Sequence, residues 1–233
     1  MLFGAHHHII HLVSEVLKIN GERPDPERIA HAAHLIRAGQ VVAIPTDTLY
    51  GLAADPFNLS AVDAVFRIKG RPGHKALLLM VNSIEQAEEI SINLPPSFYK
   101  LARHFWPGPL TMVVPASRRL PRKIASDTGK VAIRLPNAPI PLALMEELDL
   151  PLTGTSANLA GEEACTTADD VQIQLGDRIA LIIDGGNAGG NTGGGATTDI
   201  ALPSTVIDLA PTGWRVLREG AIPVAQILEF FEE

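Results

Sequence analysis

Short apolar runs alternate with helical patterns along the chain, and this alternation predicts a layered α/β domain. Strands are predicted at residues 41–44, 77–81, 110–114, 131–135, 152–155, 180–183, 205–209 and 215–217. Helices are predicted at residues 26–38, 60–69, 83–90, 96–105, 141–148, 168–175 and 222–230. Residues 1–20 have no clear pattern, and they fit either an extra helix or a strand.

Capping residues mark the starts of the first two helices. Asp25 precedes the first helix as a cap, and Pro26 suits its first turn. Ser60 and Asp63 have the spacing of a capping box, so the second helix is expected to begin at Ser60 and to run through Lys69. A cation therefore stands at the C-terminal end of this helix, where the helix dipole favours it.

Composition narrows the class of protein. The 233 residues are 46% hydrophobic and 19% charged, which excludes an intrinsically disordered chain. The single cysteine, Cys165, excludes a disulfide framework and a multi-cysteine zinc site, and it favours a reducing compartment. The net charge of −7 argues against bulk affinity for nucleic acid but is compatible with a local basic groove. No apolar run reaches the length of a membrane span, and no signal peptide is recognisable, so we expect a cytoplasmic protein with no membrane partner.

Polar clusters follow several predicted strands, where α/β proteins tend to bind ligands. Residues 45–52, Pro-Thr-Asp-Thr-Leu-Tyr-Gly-Leu, can hydrogen-bond a small polar ligand or form an ordinary turn capped by Asp47. Residues 69–75, Lys-Gly-Arg-Pro-Gly-His-Lys, can gather phosphate oxygens or be basic residues favoured at a helix C-terminus. No Walker sequence is present, so a phosphate site here is not a P-loop.

Further polar candidates lie at strand ends. Arg134 ends an apolar strand that begins near Lys130, and it can clamp a carboxylate or be the solvated end of that strand. Ser156 and Asn158 lie in the stretch Thr-Gly-Thr-Ser-Ala-Asn, which can present backbone amides to an anion or form a plain turn. The remaining candidates are Ser204, at the entrance of a strand, and Arg218, at the end of the last strand.

Seven pieces of sequence in one fixed order carry a resemblance. They are Pro-Thr-Asp-Thr-Leu-Tyr-Gly-Leu at 45–52, Lys-x-Arg at 69–71, Trp-Pro-Gly-Pro-Leu-Thr at 106–111, Val-Ala-Ile-Arg-Leu-Pro at 131–136, Thr-Ser-Ala-Asn at 155–158, Asp-Gly-Gly at 184–186 and Ser-Thr-Val-Ile-Asp at 204–208. Each piece alone is common, whereas the ordered set is specific. From about residue 29 to residue 221 the chain resembles the YrdC-type threonylcarbamoyl-AMP synthases, in their single-domain form.

The resemblance implies a fold and a reaction. The expected fold is α/β, with a twisted mixed sheet and flanking helices that enclose a deep electropositive groove. Residues 1–24 would be an N-terminal extension, and residues 25–233 the catalytic domain. The implied enzyme is a nucleotidyltransferase that forms L-threonylcarbamoyladenylate and pyrophosphate from L-threonine, bicarbonate and ATP. In the family this product goes to a separate transferase that modifies adenosine 37 of tRNAs reading ANN codons, and a weak tRNA contact is compatible with that role.

The resemblance also implies roles for individual residues. It implies that Lys69 and Arg71 are the catalytic residues and that they lie at the phosphates. L-Threonine is held by Thr48, Arg134 and Ser204, with Arg134 on its carboxylate. ATP is bound by Lys69, Arg71, Lys75, Lys130, Ser156, Asn158 and Arg218. Mg²⁺ is expected on the ATP phosphates, with no protein side chain assigned to it.

Departures from the family pattern leave some choices open. The family often has Pro-Leu, histidine and Arg-Pro-Gly where this chain has Ala76-Leu77, Met80 and Arg218-Glu219-Gly220. Met80 removes a polar contact near L-threonine, so the amino-acid preference stays open. Two other functions remain as alternatives: a carbamoyl-adenylate former that uses carbamoyl phosphate, and a non-catalytic RNA-binding module. The single cysteine argues against the first, whose examples carry cysteine-rich zinc modules, and the net charge of −7 argues against the second.

Overall fold

The computed structural model describes residues 14–70, 77–125, 128–189, 201–210 and 213–231, and eleven strands and eight helices lie in these ranges. The strands are β1 (Glu15–Lys18), β2 (Val42–Ile44), β3 (Gly51–Ala53), β4 (Leu78–Met80), β5 (Leu110–Pro115), β6 (Lys130–Arg134), β7 (Leu152–Thr153), β8 (Thr155–Ser156), β9 (Leu181–Asp184), β10 (Thr205–Ala210) and β11 (Gly213–Arg218). The helices are α1 (Pro26–Arg37), α2 (Leu59–Lys69), α3 (Ile84–Ile90), α4 (Pro96–Phe105), α5 (Arg122–Ala125), α6 (Pro139–Leu148), α7 (Ala168–Leu175) and α8 (Val224–Leu228). Every predicted helix is confirmed to within two residues at each end, as is every predicted strand except 152–155.

Side-chain caps fix where the first two helices begin. Asp25 accepts hydrogen bonds from two backbone N–H groups of the first turn, at 3.0 and 3.2 Å, which confirms the predicted start of α1. The capping box predicted at Ser60 is wrong. Asn58 caps α2 instead, because its side-chain oxygen accepts from the N–H groups of Ser60 and Ala61.

The strands form two mixed sheets where one twisted sheet was expected. The five-stranded sheet has the order β1-β9-β2-β3-β8, and the six-stranded sheet has the order β11-β10-β5-β6-β4-β7. In the first sheet, β9 runs parallel to β1 and β2, and β3 runs antiparallel to β2 and β8. In the second, β10 pairs parallel with β5 and β4 with β6, and the other three pairs are antiparallel. The α/β class with mixed sheets and flanking helices is confirmed.

The first described strand lies before the domain boundary expected at residue 25. β1 pairs with β9 in parallel register over four residue pairs. Ser14 precedes it and donates its hydroxyl to the carbonyl oxygens of Gly176 and Ile179, at 2.8 and 2.7 Å. The five-stranded sheet therefore begins inside the segment expected to be an extension. Residues 1–13 of that segment lie outside the described residues.

The chain crosses from one sheet to the other at Gly154, inside the single strand predicted at 152–155. β7 belongs to the six-stranded sheet and β8 to the five-stranded sheet. The N–H of Gly154 donates to the carbonyl oxygen of Leu78 at 2.9 Å. A Cβ at this position would lie 2.5 Å from a Leu78 methyl and 2.8 Å from Met80 Cγ, so any larger residue would displace these two side chains. Gly154 therefore connects the two sheets directly through the backbone.

Both faces of β2, the central strand of the five-stranded sheet, are buried. Val42 and Ile44 of β2 point into a core formed with α1 and α6, whereas Ala43 points into the larger core with α2, α4 and α7. This period of two is that of a β-strand, and burial on both faces explains why β2 reads as a continuous apolar run. In the part of the chain that the structure describes, no helix is long and apolar enough to cross a membrane.

Candidate active site

A cavity of about 670 Å³ lies between the two sheets. Its floor is one face of the six-stranded sheet, because alternate residues of β5, β6, β10 and β11 face the cavity and those between them point into the core. The cavity-facing residues of these strands are Thr111, Val113, Lys130, Ala132, Arg134, Val206, Asp208, Arg215, Leu217 and Arg218. The opposite wall comes from residues 46, 48–51 and 154–156. Among the described lining residues, four are cationic and one is anionic.

Arg134 is held at the inner end of the cavity by three contacts. Its Nε donates to the carbonyl oxygen of Gly108 at 3.0 Å, and its Nη1 donates to Thr48 Oγ1 at 2.7 Å. Its Nη2 lies 2.5 Å from Asp47 Oδ1, in an ion pair whose side chains are 6% and 1% exposed. Nη2 is therefore buried against this carboxylate and directed away from solvent. Nη1 carries two N–H groups, of which Thr48 accepts one, so the guanidinium keeps a donor for an anionic ligand.

Burial controls the electrostatics at this end of the cavity. It lowers the pKa of Arg134 from its ordinary value, and the carboxylate of Asp47 opposes that shift. The ion pair with Asp47 favours the charged form of the guanidinium. Met80 is the register partner of Arg134 in the β4–β6 pair, and it lines the cavity together with Leu78. An apolar wall thus borders the buried cation.

Ser204 and Arg218 lie at the same end as Arg134. Ser204 Oγ shares a 2.8 Å hydrogen bond with Thr111 Oγ1. Arg218 Nη2 donates to Ser204 O at 2.8 Å and to Ser204 Oγ at 3.2 Å. Burial lowers the pKa of Arg218, and so does the positive charge of Arg134. The three residues predicted to hold L-threonine, Thr48, Arg134 and Ser204, are therefore brought together, and Arg218 lies beside them.

Lys69 is buried at the end of α2, although a cation at a helix end is usually solvated. Its Nζ donates to Asn158 O and Oδ1, both at 3.0 Å, and to the carbonyl oxygen of Ser156. Ser156 Oγ donates to Asn158 Oδ1 at 2.6 Å. Of these three described residues, Ser156 lines the cavity. The structure therefore brings Lys69, Ser156 and Asn158 together as a network beside the wall formed by β8.

A second charged group lies at the outer end of the cavity. Asp208 Oδ1 accepts from Lys130 Nζ at 2.6 Å, and Asp208 Oδ2 accepts from Arg215 Nη2 at 3.2 Å. The side chain of Asp208 is 6% exposed, whereas Lys130 is 31% and Arg215 73% exposed. Lys130, predicted to bind ATP, thus lies apart from Arg134 and Arg218.

The sequence analysis assigned no role to Thr111, Asp208 or Arg215 of this cavity, and it missed Asp47 as the ion-pair partner of Arg134. Asp47, Thr111 and Asp208 lie inside the matched motifs, but their partners could not be read from the chain. Each of Thr111, Asp208 and Arg215 lies between two apolar residues on its strand, and this local alternation was the other available signal for a face turned away from the core. Arg71 and Lys75, both predicted to bind ATP, lie outside the described residues.

The described residues include no group of three or more His, Cys, Asp and Glu side chains that could hold a metal ion. Cys165 is buried, and burial raises the pKa of its thiol to about 11, so the thiol is protonated at neutral pH. The described side chains facing the cavity therefore offer guanidinium and ammonium groups, hydroxyls and one carboxylate.

The cavity between the two sheets, lined by more cationic than anionic side chains among the described residues, has the composition of a site for a small anionic ligand. Residues 34–220 match the profile of the Sua5/YciO/YrdC family, whose description reads "Telomere recombination". The match covers most of the chain, and the chain belongs to this family. The resemblance drawn from the ordered motifs is confirmed.

Sequence and structural relatives support the same family assignment. The chain is 39% identical over 206 residues to the threonylcarbamoyl-AMP synthase of Pyrococcus abyssi. The aligned residues make up 88% of this chain and 58% of that protein. It is 34% identical over 209 residues to the putative threonylcarbamoyl-AMP synthase of Mycobacterium tuberculosis H37Rv. That alignment covers 88% of this chain and 91% of the Mycobacterium protein. Its fold is similar to the crystal structure of P. abyssi Sua5 complexed with L-threonine. The TM-score is 0.86 at 36% identity, over 94% of this chain and 62% of that one. The chain thus spans less than two thirds of the Pyrococcus protein.

Proposed function

We propose that the chain is a threonylcarbamoyl-AMP synthase, a nucleotidyltransferase that makes L-threonylcarbamoyladenylate and pyrophosphate from L-threonine, bicarbonate and ATP. One observation carries the proposal: Arg134 is fixed at the inner end of the cavity with Thr48 and Ser204 close by. A guanidinium fork and hydroxyl groups suit the carboxylate and hydroxyl of this amino acid. The similarity to synthases of that name, and to a structure complexed with L-threonine, supports the choice of substrate.

The reaction requires orientation and charge stabilisation rather than a nucleophilic side chain. The amine of L-threonine adds CO₂ derived from bicarbonate, with loss of water, and gives a carbamate. A carbamate oxygen then attacks the α-phosphorus of ATP, and pyrophosphate leaves. Arg134 holds the L-threonine carboxylate, and Thr48 is held in turn by a 3.1 Å hydrogen bond with Thr46. Arg218, beside Ser204, stabilises the negative charge that builds on the phosphoryl group.

We assign the triphosphate to the wall formed by β8. Ser156 presents its hydroxyl there, and the ammonium of Lys69 keeps the turn of residues 156–158 in shape while adding positive charge behind it. Arg71 and Lys75 remain predicted ATP ligands, since they follow Lys69 along the chain. Mg²⁺ enters as part of the substrate, bound to the ATP phosphates, as is usual for this ion in nucleotide sites.

The product is an activated acyl donor, so a second enzyme must consume it. We infer that this is a transferase that modifies adenosine 37 of tRNAs reading ANN codons, and that the reaction takes place in the cytoplasm, where ATP and tRNA meet. No specific observation favours either alternative function. A cavity of about 670 Å³ fits small molecules rather than an RNA strand. The named relatives are synthases that use threonine rather than formers of carbamoyl-adenylate.

Pyrophosphate release from ATP tests this proposal. We expect release only when L-threonine, bicarbonate and Mg²⁺ are all present, because the attacking carbamate cannot form without the first two. Each component is omitted in turn from an otherwise complete mixture. Equal release in the absence of L-threonine would contradict the proposal.

A further inference from the structure

We propose that Asp47 is a positioning residue, which fixes the guanidinium of Arg134 in the orientation that binds the carboxylate of L-threonine. The inference rests on the proposed function and deepens it, because the reaction above gives this buried carboxylate no role. The side chain of Asp47 is 1% exposed and lies 2.5 Å from Arg134 Nη2. A carboxylate at this depth is costly to the fold, and its one ion-pair partner among the described residues is the arginine assigned to L-threonine.

Asp47 reaches Arg134 without facing the cavity between the sheets. Thr46 and Thr48, its neighbours in the chain, line that cavity, whereas Asp47 is not among the described residues that do so. Asp47 lines a second cavity, of about 460 Å³, instead. A ligand beside Arg134 would therefore meet the guanidinium and Thr48 but not this carboxylate. Any effect of Asp47 on such a ligand acts through Arg134.

The turn that carries Asp47 is itself fixed. Thr46 Oγ1 accepts from the backbone N–H of Thr48 at 3.1 Å and shares a second hydrogen bond, also of 3.1 Å, with Thr48 Oγ1. Thr48 Oγ1 accepts from Arg134 Nη1 at 2.7 Å, and Gly108 O accepts from Arg134 Nε at 3.0 Å. With Asp47 at Nη2, each nitrogen of the guanidinium has a contact, so the group cannot rotate without losing one of them. Such preorganisation lowers the cost of ordering the group when a ligand binds.

Charge alone would give Asp47 the opposite effect on L-threonine. Arg134 and Arg218 lie close enough for the positive charge of Arg134 to lower the pKa of Arg218. Two neighbouring guanidinium groups attract a carboxylate, and the negative charge of Asp47 weakens that attraction. If Asp47 only neutralised Arg134, its removal would tighten the binding of L-threonine. If Asp47 positions Arg134, its removal weakens the binding, because the guanidinium is no longer held for the ligand. The two roles therefore differ in the sign of the effect.

Binding of L-threonine without ATP tests the positioning role. Isothermal titration calorimetry compares L-threonine with L-threoninamide, which lacks the carboxylate, and we expect the wild-type chain to prefer L-threonine by about 10-fold or more. Asp47→Asn should bind L-threonine more weakly and lose most of this preference. The preference is a ratio of two affinities, so an unfolded fraction does not change it. A merely structural role would weaken both ligands alike.

Two further variants complete the experiment. Asp63→Asn is the matched control, because its partly exposed carboxylate pairs with Lys123 outside the described cavity lining, so the wild-type preference is expected. Asp47→Glu serves if Asp47→Asn does not fold. It keeps a charge for Arg134 but moves the carboxylate by one methylene group, so we expect a smaller preference for L-threonine than in the wild-type chain.

The outcomes separate the positioning role from the synthase assignment. Tighter binding of L-threonine by Asp47→Asn overturns the positioning role, and so does a full wild-type preference in whichever Asp47 variant folds. A wild-type chain that binds L-threonine and its amide equally also overturns it. A preference that depends on Asp47, without release of pyrophosphate from ATP, keeps the positioning role and contradicts the synthase assignment. A chain that binds no L-threonine contradicts both.

Discussion

Replacement of Arg134 by lysine tests the assignment of the inner end of the cavity. The guanidinium uses Nε for Gly108 O and Nη1 for Thr48 Oγ1, and its Nη2 lies beside Asp47. A lysine ammonium keeps the charge but not the planar fork, so it cannot bind a carboxylate through two parallel hydrogen bonds while it contacts the backbone. The apparent KM for L-threonine should therefore rise well beyond that for ATP.

The expected size of this effect follows from the contacts that are lost. A charge-assisted hydrogen bond contributes about 1.5–3 kcal/mol, which corresponds to about 10- to 150-fold in affinity. Lysine retains a positive charge for Asp47, whose side chain is 1% exposed, so the fold should tolerate the change. Arg134→Met would instead leave that carboxylate buried without its partner, at a cost of about 3–5 kcal/mol in the free energy of unfolding. Urea denaturation of both variants separates loss of the clamp from loss of the fold.

Steady-state pyrophosphate release, with both substrates varied, gives the two changes in KM. Arg37→Lys is the matched control, because Arg37 is about half exposed and pairs with Glu147 outside the residues that line the cavity. If Arg134→Lys shifts the KM for ATP as much as the KM for L-threonine, the assignment of Arg134 to the L-threonine carboxylate is wrong. Arg134 then belongs to the nucleotide site or to the fold.

Lys69→Ala should lower the free energy of unfolding by about 1.5–3 kcal/mol and turnover by about 10²-fold, because three oxygens lose their charged donor. Urea denaturation and pyrophosphate release measure the two effects, and wild-type values in both would contradict the role of this network. Cys165 should resist Ellman's reagent at pH 8 until the chain is unfolded. Burial raises the pKa of its thiol to about 11, so only about one thiol in a thousand is ionised at that pH. Rapid labelling of the native protein would contradict this prediction. Asp170→Asn should cost about 0.5–1 kcal/mol at pH 7, because hydrogen bonds from Thr167 and its neighbour lower the pKa of Asp170. This contribution is present above the ordinary carboxyl pKa and is lost as the pH falls through the lower folded value, so an unchanged difference in strong acid would refute it.

The helices can be predicted from the sequence because their ends carry local signals such as the cap at Asp25. The division into two sheets cannot, because it depends on contacts between distant parts of the chain. Gly154 looks like an ordinary residue of one strand, but β7 before it pairs in one sheet and β8 after it pairs in the other. β1 is likewise defined by its pairing with β9 rather than by its own short pattern.

The candidate site shows the same limit. The order of motifs is enough to group Thr48, Arg134 and Ser204, which the fold brings to one end of the cavity. In the sequence, Asp47 fits an ordinary turn residue and Asp208 an ordinary strand-end residue. Only the folded structure shows the cationic partner of each carboxylate. The burial of Lys69 is hidden for a related reason, because residues 156–158, far along the chain, supply the oxygens around its ammonium.

Mass spectrometry of the nucleotide product is the most direct test of the proposed reaction. The protein is incubated with MgATP, L-threonine and either ordinary or ¹³C-labelled bicarbonate. We predict L-threonylcarbamoyladenylate, heavier by the mass of the label when labelled bicarbonate is supplied and absent when L-threonine is omitted. Production of AMP or ADP alone, or of an adenylate that takes up no label from bicarbonate, would contradict the assignment of this chain as a threonylcarbamoyl-AMP synthase.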